Sequence, residues 1–209
     1  PLDPDDLGLL AVAAFMTGKE AVYEDALARA HRGYREEDSP EAAAGAAIWL
    51  GMQLAERGEM AQASGWFGRA GRILEAVDDC VERGYLLLPT GLRALAAGDD
   101  AAAARVAEEA AAYAQRFGDR DLLALAVHMH GRALLRQGRV PEGLALLDEA
   151  MVAVSTDELS PQVTGLVYCS VISACRRVYA LERAHEWTRA LTDWCEAQPD
   201  MVAFRGRCR

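Results

Sequence analysis

The chain has 209 residues, is 52% hydrophobic and carries a formal net charge of -10, with a pI near 4.9. Such an acidic balance argues against direct contact with nucleic acid or an anionic membrane, because phosphate surfaces are held by clustered Lys and Arg. Its bias towards Ala, Leu, Arg and Glu, with few β-branched residues, predicts an all-α fold, and no stretch alternates like a strand.

In chain order, five helical hairpins are predicted. Asp3-Pro4 opens the first, 4–36, pairing a capping side chain with a proline suited to the first helical turn. Its run LLAVAAFM (Leu9 to Met16) is far shorter than the roughly 20 residues a bilayer-spanning helix needs. Ser39-Pro40 opens the second hairpin, 40–76, in the same way. The third, 79–117, contains Pro89 inside YLLLPTGL, where the missing N–H should kink or split the helix. The fourth, 119–155, has Pro141 at the start of its second helix, and the fifth, 161–197, follows Ser160-Pro161. The closing PDMVAFRGRCR reads as the opening of a sixth first helix. No linker divides the chain, so one domain over 1–209 is expected, as a fragment of a longer protein.

The hairpins share a period of 40 residues. Gly138 steps back to Gly98, Gly58 and Gly18, Gly131 to Gly91 and Gly51, and Ala150 to Ala110, Ala70 and Ala30 and forward to Ala190. The large position between them runs Leu27, Phe67, Ala107, Leu147 and Trp187. The first set of glycines closes each first helix in the left-handed conformation. The second set and the alanines let the two helices of a pair approach, and the large residue fills the hollow beside them. Val178 stands where the fifth turn glycine would be, so that turn must be built differently. Short connections throughout predict antiparallel neighbours stacked into an α-solenoid.

These positions resemble a tetratricopeptide repeat. Leu50-Gly51, Leu54, Gly58, Ala63, Phe67 and Ala70 fall at that family's offsets, and Gly131, Leu134, Gly138, Gly143, Leu147 and Ala150 repeat them. The 40-residue period exceeds the family's usual 34, so the units are tetratricopeptide-like with longer helices. DCVERGYLLLP, GRALLRQGRVPEGLALLDEAMVAV and ELSPQVTGLVYCSVI…WC…QPDMVAFRGRC resemble the helical-repeat region of actinobacterial LuxR-type transcriptional regulators. That resemblance implies a regulatory role. It transfers DNA binding to no residue here, because the reader domain of that family lies outside these segments.

The tetratricopeptide resemblance further implies that one row of each first helix lines a concave groove. The row comprises Ile48, Met52 and Glu56, then Tyr85, Leu88, Leu92 and Leu95, then His128, Arg132, Leu135 and Arg136, then Tyr168, Ile172 and Arg176. Spacing alone puts residues 128, 132, 135 and 136 on one helical face. An apolar floor beside arginines suits a protein or peptide partner or a small acidic ligand, although interhelix packing with solvated arginines is the commoner reading of such a row. The motif HMH (His128, His130) is a poor metal site, since residues two apart on a helix face different ways. The five cysteines form no CxxC pair and read as buried thiols in a reducing cytoplasm, with no disulfide, metal or other cofactor expected. No signal peptide opens the sequence. No catalytic motif of the phosphate-loop, nucleophile-elbow or zinc-protease kind occurs, so no enzyme activity is expected. Trp187, Trp194 and Val202-Ala203-Phe204 form an apolar C-terminal end, expected to pair with further repeats or with another copy. Two functions remain open: an interaction scaffold within a regulator, or a sensor whose groove binds a small molecule or peptide.

Overall fold

Asp3 accepts a hydrogen bond from the Asp6 N–H at 2.8 Å and Pro4 follows it, so the first helix begins where cap and proline direct it. The computed structural model describes residues 2–198 and 200–204. Among these residues it contains ten α-helices and no strand. They are α1 (Pro4–Met16), α2 (Glu20–Glu36), α3 (Pro40–Glu56), α4 (Met60–Leu74), α5 (Val81–Ala97), α6 (Asp100–Phe117), α7 (Arg120–Arg136), α8 (Val140–Ser155), α9 (Pro161–Arg177) and α10 (Leu181–Glu196).

The turn glycines behave as their spacing predicts. Gly18, Gly58, Gly98 and Gly138 have φ of 70°, 83°, 79° and 79°. In the fifth hairpin the left-handed residue is Tyr179, with φ 58°, one position later than a strict 40-residue step. Helices α9 and α10 likewise begin 41 residues after α7 and α8. Buried Leu191 therefore takes the place that the 40-residue step assigned to Ala190, Thr188 the place assigned to Trp187, and buried Ala184 stands as the counterpart of Gly143. The expected cap at Ser39 makes no side-chain hydrogen bond, whereas Asp99, Asp119 and Ser160 do cap their helices. Pro89 neither splits α5 nor ends it, since the helix runs unbroken through that position.

The chain divides into two compact units, one ending at Leu86 and the other beginning at Leu87, and the division falls within α5. In the N-terminal unit α1 packs on α2, α2 on α3 and α3 on α4. Leu7, Ala11, Tyr23, Leu27, Leu50 and Leu54 form one core cluster there, while Ile48, Ala70 and Leu74 form a second. In the C-terminal unit α7 is central, packing on α6, α8 and α9, and α9 also meets α10. Met129, Leu147, Met151, Val167 and Val171 are fully buried in it.

Small residues set the closest approach between paired helices. A Cβ on Gly131 would stand 2.9 Å from the Gly143 carbonyl oxygen, and one on Gly143 would stand 2.7 Å from that of Gly131. Both distances are shorter than any real Cβ contact, so α7 and α8 touch through backbone at this crossing. Leu147 fills the adjoining space with no exposure. In the N-terminal unit a Cβ on Gly51 would meet the Phe67 ring at 2.6 Å, the same small–large pairing with a side chain in place of backbone. No helix among the described residues is long and apolar enough to cross a membrane.

Candidate functional site

Helix α7 buries Leu122, Leu125, Met129 and Leu134, and one of its rows carries His128, Arg132 and Arg136. The row changes character along its length. His128 is 7% exposed, and its Nδ1–H donates to the Ala124 carbonyl at 3.1 Å. Burial first, and then the charge of Arg132, lowers its pKa from 6.5 to about 4. It is a neutral core histidine at neutral pH.

Arg132, one turn further on, is half-buried. Burial lowers its pKa, and the neighbouring charges of Arg177 and Arg136 lower it further. The nearby charges are thus of its own sign. Arg136 donates from Nε to Asp100 Oδ1 at 2.6 Å, so its charge is already matched. Among the described residues neither Arg132 nor Arg177 has a carboxylate within ion-pair reach.

Where α9 passes α7, these side chains border a cavity of about 260 Å³. Arg132, Leu135 and Arg136 come from α7, and Ser170, Ser173, Ala174 and Arg177 come from α9, with Val178 just beyond. The residues expected from α9 were Tyr168, Ile172 and Arg176. Tyr168 and Ile172 are instead buried, 5% and 7% exposed, with Tyr168 packed 6.1 Å from the Trp194 ring, while Arg176 is exposed and not among the lining residues. The 41-residue step explains the difference: it makes Ser173 and Arg177, not Ile172 and Arg176, the counterparts of Arg132 and Arg136. The longer connection between α8 and α9, which carries left-handed Asp157 (φ 52°), was the available signal.

The remaining expected groove residues lie elsewhere. Met52 and Tyr85 pack on the second core cluster of the N-terminal unit, and Tyr85 lies 6.0 Å from the Trp49 ring. In the C-terminal unit Leu88 is buried and Leu92 is 41% exposed.

The N-terminal unit has an arginine-lined cavity of its own, of about 510 Å³, which the sequence did not single out. Arg35, Arg69 and Arg72 border it together with Asp38 and Ile73. All three arginines are exposed, and Arg69 lies over the Trp66 ring at 4.9 Å. Beneath it His31 is 3% exposed, its Nδ1–H donating to the Ala43 carbonyl at 2.8 Å, and burial lowers its pKa.

His130 reaches Glu108 at 3.5 Å, away from His128. Among the described residues no three His, Cys, Asp or Glu side chains converge as metal ligands would. Among the described residues Cys80, Cys175 and Cys195 are buried and Cys169 is half-buried, and none of the four is in a disulfide; Cys208 lies outside the described residues. The C-terminal end differs from its expected form. Residues 201–204 are not helical, and Met201 and Phe204 are each 3% exposed. Phe204 packs 6.2 Å from Trp194 and so close to Gly165 that a Cβ there would meet its ring at 2.0 Å. Only Val202, at 59%, remains open in that segment among the residues expected to present an apolar face. A scan against protein-family models and a search of curated proteins found no match to the chain.

Proposed function

We propose that the chain is a non-enzymatic, tetratricopeptide-like interaction module serving as a regulatory part of a cytoplasmic LuxR-type transcriptional regulator, and that it recognises an acidic protein or peptide segment. The observation that carries the reading is the arrangement of α7 and α9. Two first helices of successive hairpins pack on each other and border one cavity, into which Arg132 is drawn without a carboxylate partner. The turn glycines at Gly18, Gly58, Gly98 and Gly138 support a repeat, since each adopts the same left-handed conformation at a 40-residue spacing. A repeat that offers side chains from rigid helices without converging acid, base and nucleophile is suited to binding.

Panning a displayed random-peptide library on the chain tests this. Enrichment of acidic sequences that compete with one another, and that bind Arg132→Glu at least about tenfold more weakly, is expected from the loss of a charge-assisted pair. No enrichment, or equal binding by the variant, overturns it. The regulatory assignment is tested by the native reading frame, where a helix-turn-helix segment joined to this chain is expected. The sensor reading is favoured by the small volume of the α7–α9 cavity, which suits a head group better than a folded surface. For self-association through the C-terminal end, the segment 201–204 offers Val202 as its exposed large apolar residue, 59% exposed.

A further inference from the structure

We propose that the α7–α9 cavity is a binding site for a phosphate monoester, gripped by Arg132 and Arg177 and by the hydroxyls of Ser170 and Ser173. The inference deepens the binding reading by naming the chemical group that this cavity takes.

Charge comes first. The lining holds three guanidinium groups and no carboxylate. Asp100 occupies Arg136 from outside the cavity, which leaves the charges of Arg132 and Arg177 unmatched by any described residue. Like charges held close together, with one of them withdrawn from water, favour an anion between them, and a dianion satisfies both.

Geometry then selects among anions. A guanidinium offers a planar fork of N–H donors that fits two oxygens of a phosphate, and two such forks use up the roughly four lone-pair sites of one carboxylate, leaving none for further donors. The terminal oxygens of a phosphate monoester can accept from two forks and still leave lone pairs for hydroxyl donors. Ser170 and Ser173 supply those hydroxyls from the facing helix. Neither hydroxyl has a side-chain hydrogen bond to another described residue.

Size and polarity account for the ester. A volume of about 260 Å³ exceeds a bare phosphate, and Leu135, Ala174 and Val178 give the remaining wall an apolar character. That wall suits the carbon-bearing side of a small monoester. The same chemistry is carried by a free small phosphate ester and by a phosphoserine in a protein.

The test measures the melting temperature of the whole chain with inorganic phosphate, free phosphoserine, a short phosphoserine peptide or succinate, each against chloride at equal ionic strength. A ligand that binds only the folded chain raises the melting temperature in proportion to its occupancy. Phosphoserine or its peptide is expected to raise it well beyond succinate. Arg177→Gln, at an exposed position that folding tolerates, should weaken that ligand about tenfold, and Arg132→Gln should weaken it at least as much. Action by the free amino acid assigns the site to a small ester, and action by the peptide alone assigns it to a phosphorylated protein. No shift with any phosphate compound, an equal shift with succinate, or an undiminished shift in Arg177→Gln overturns the proposal. Those outcomes would leave the peptide-library result intact, so the two readings fail separately.

Discussion

Each unit of this molecule has a cavity bordered by three arginines, yet the two cavities present different chemistry. In the N-terminal unit Arg35, Arg69 and Arg72 are exposed, Asp38 shares the wall, and Arg69 rests on Trp66. Water and these neighbours already stabilise the charges, and a guanidinium in water gains little from one more surface partner. In the C-terminal unit Arg132 is drawn down beside buried His128, and the charges nearest it are other arginines. Counting arginines would rank the cavities equal. Burial and the sign of the neighbouring charge separate them.

The largest expected effect sharpens the comparison through packing. Gly131→Ala puts a Cβ against the Gly143 carbonyl, where backbone must move, and should cost about 3 kcal/mol by urea denaturation. Gly51→Ala in the N-terminal unit meets only the Phe67 ring, which can turn aside, and should cost clearly less. Equal costs would show that the two hairpins close alike.

Next in size is pH. The folded chain holds His128 with a pKa near 4, below the ordinary 6.5, so it refuses a proton that the unfolded chain accepts. The stability associated with this group is therefore complete above pH 6.5 and is lost as pH falls towards 4, reaching about 3 kcal/mol there. His31 in the N-terminal unit is shifted in the same direction. His128→Leu should flatten the acid limb between pH 6.5 and 4; an unchanged limb would leave His31 or the carboxylates as its source.

A smaller effect belongs to the turns. Gly138→Val forces a β-branched residue into φ 79° and should cost about 2 kcal/mol, whereas Tyr179→Gly relieves φ 58° and should add about 1 kcal/mol, both read from the melting temperature. The smallest effect separates the arginines. Without an added anion, Arg72→Gln should leave stability within about 0.5 kcal/mol, while Arg132→Met should stabilise by up to about 1 kcal/mol through removal of a half-buried cation. Destabilisation by Arg132→Met would mean that its aliphatic stem contributes more packing than its charge costs.

Much of the local architecture is legible in the residues. Turn glycines, the caps at Asp3 and Ser160, the proline-led helices and the small–large pairing of Gly131 with Leu147 depend on neighbours at most about a turn or a hairpin away. The row His128, Arg132, Leu135 and Arg136 is equally legible, since helical spacing alone places these residues on one face. Its meaning is not, because spacing does not distinguish a buried neutral imidazole from a half-buried unmatched guanidinium. The α9 side was misplaced by one residue. Val178 hinted at an altered turn, but a 40-residue step copied through it turned the expected face from Ser173 and Arg177 to Ile172 and Arg176.

By itself the sequence determined that the chain is helical, where its helices start and turn, and which small positions allow paired helices to touch. These properties follow from backbone preference and periodicity, which act over short stretches of chain. Tertiary structure alone decided that Phe204 folds into the α9–Trp194 surface, that Asp100 engages Arg136, and that Arg132 and Arg177 share a cavity with two serines. Those outcomes depend on desolvation and on which distant side chains meet, quantities that exist only once the helices have packed.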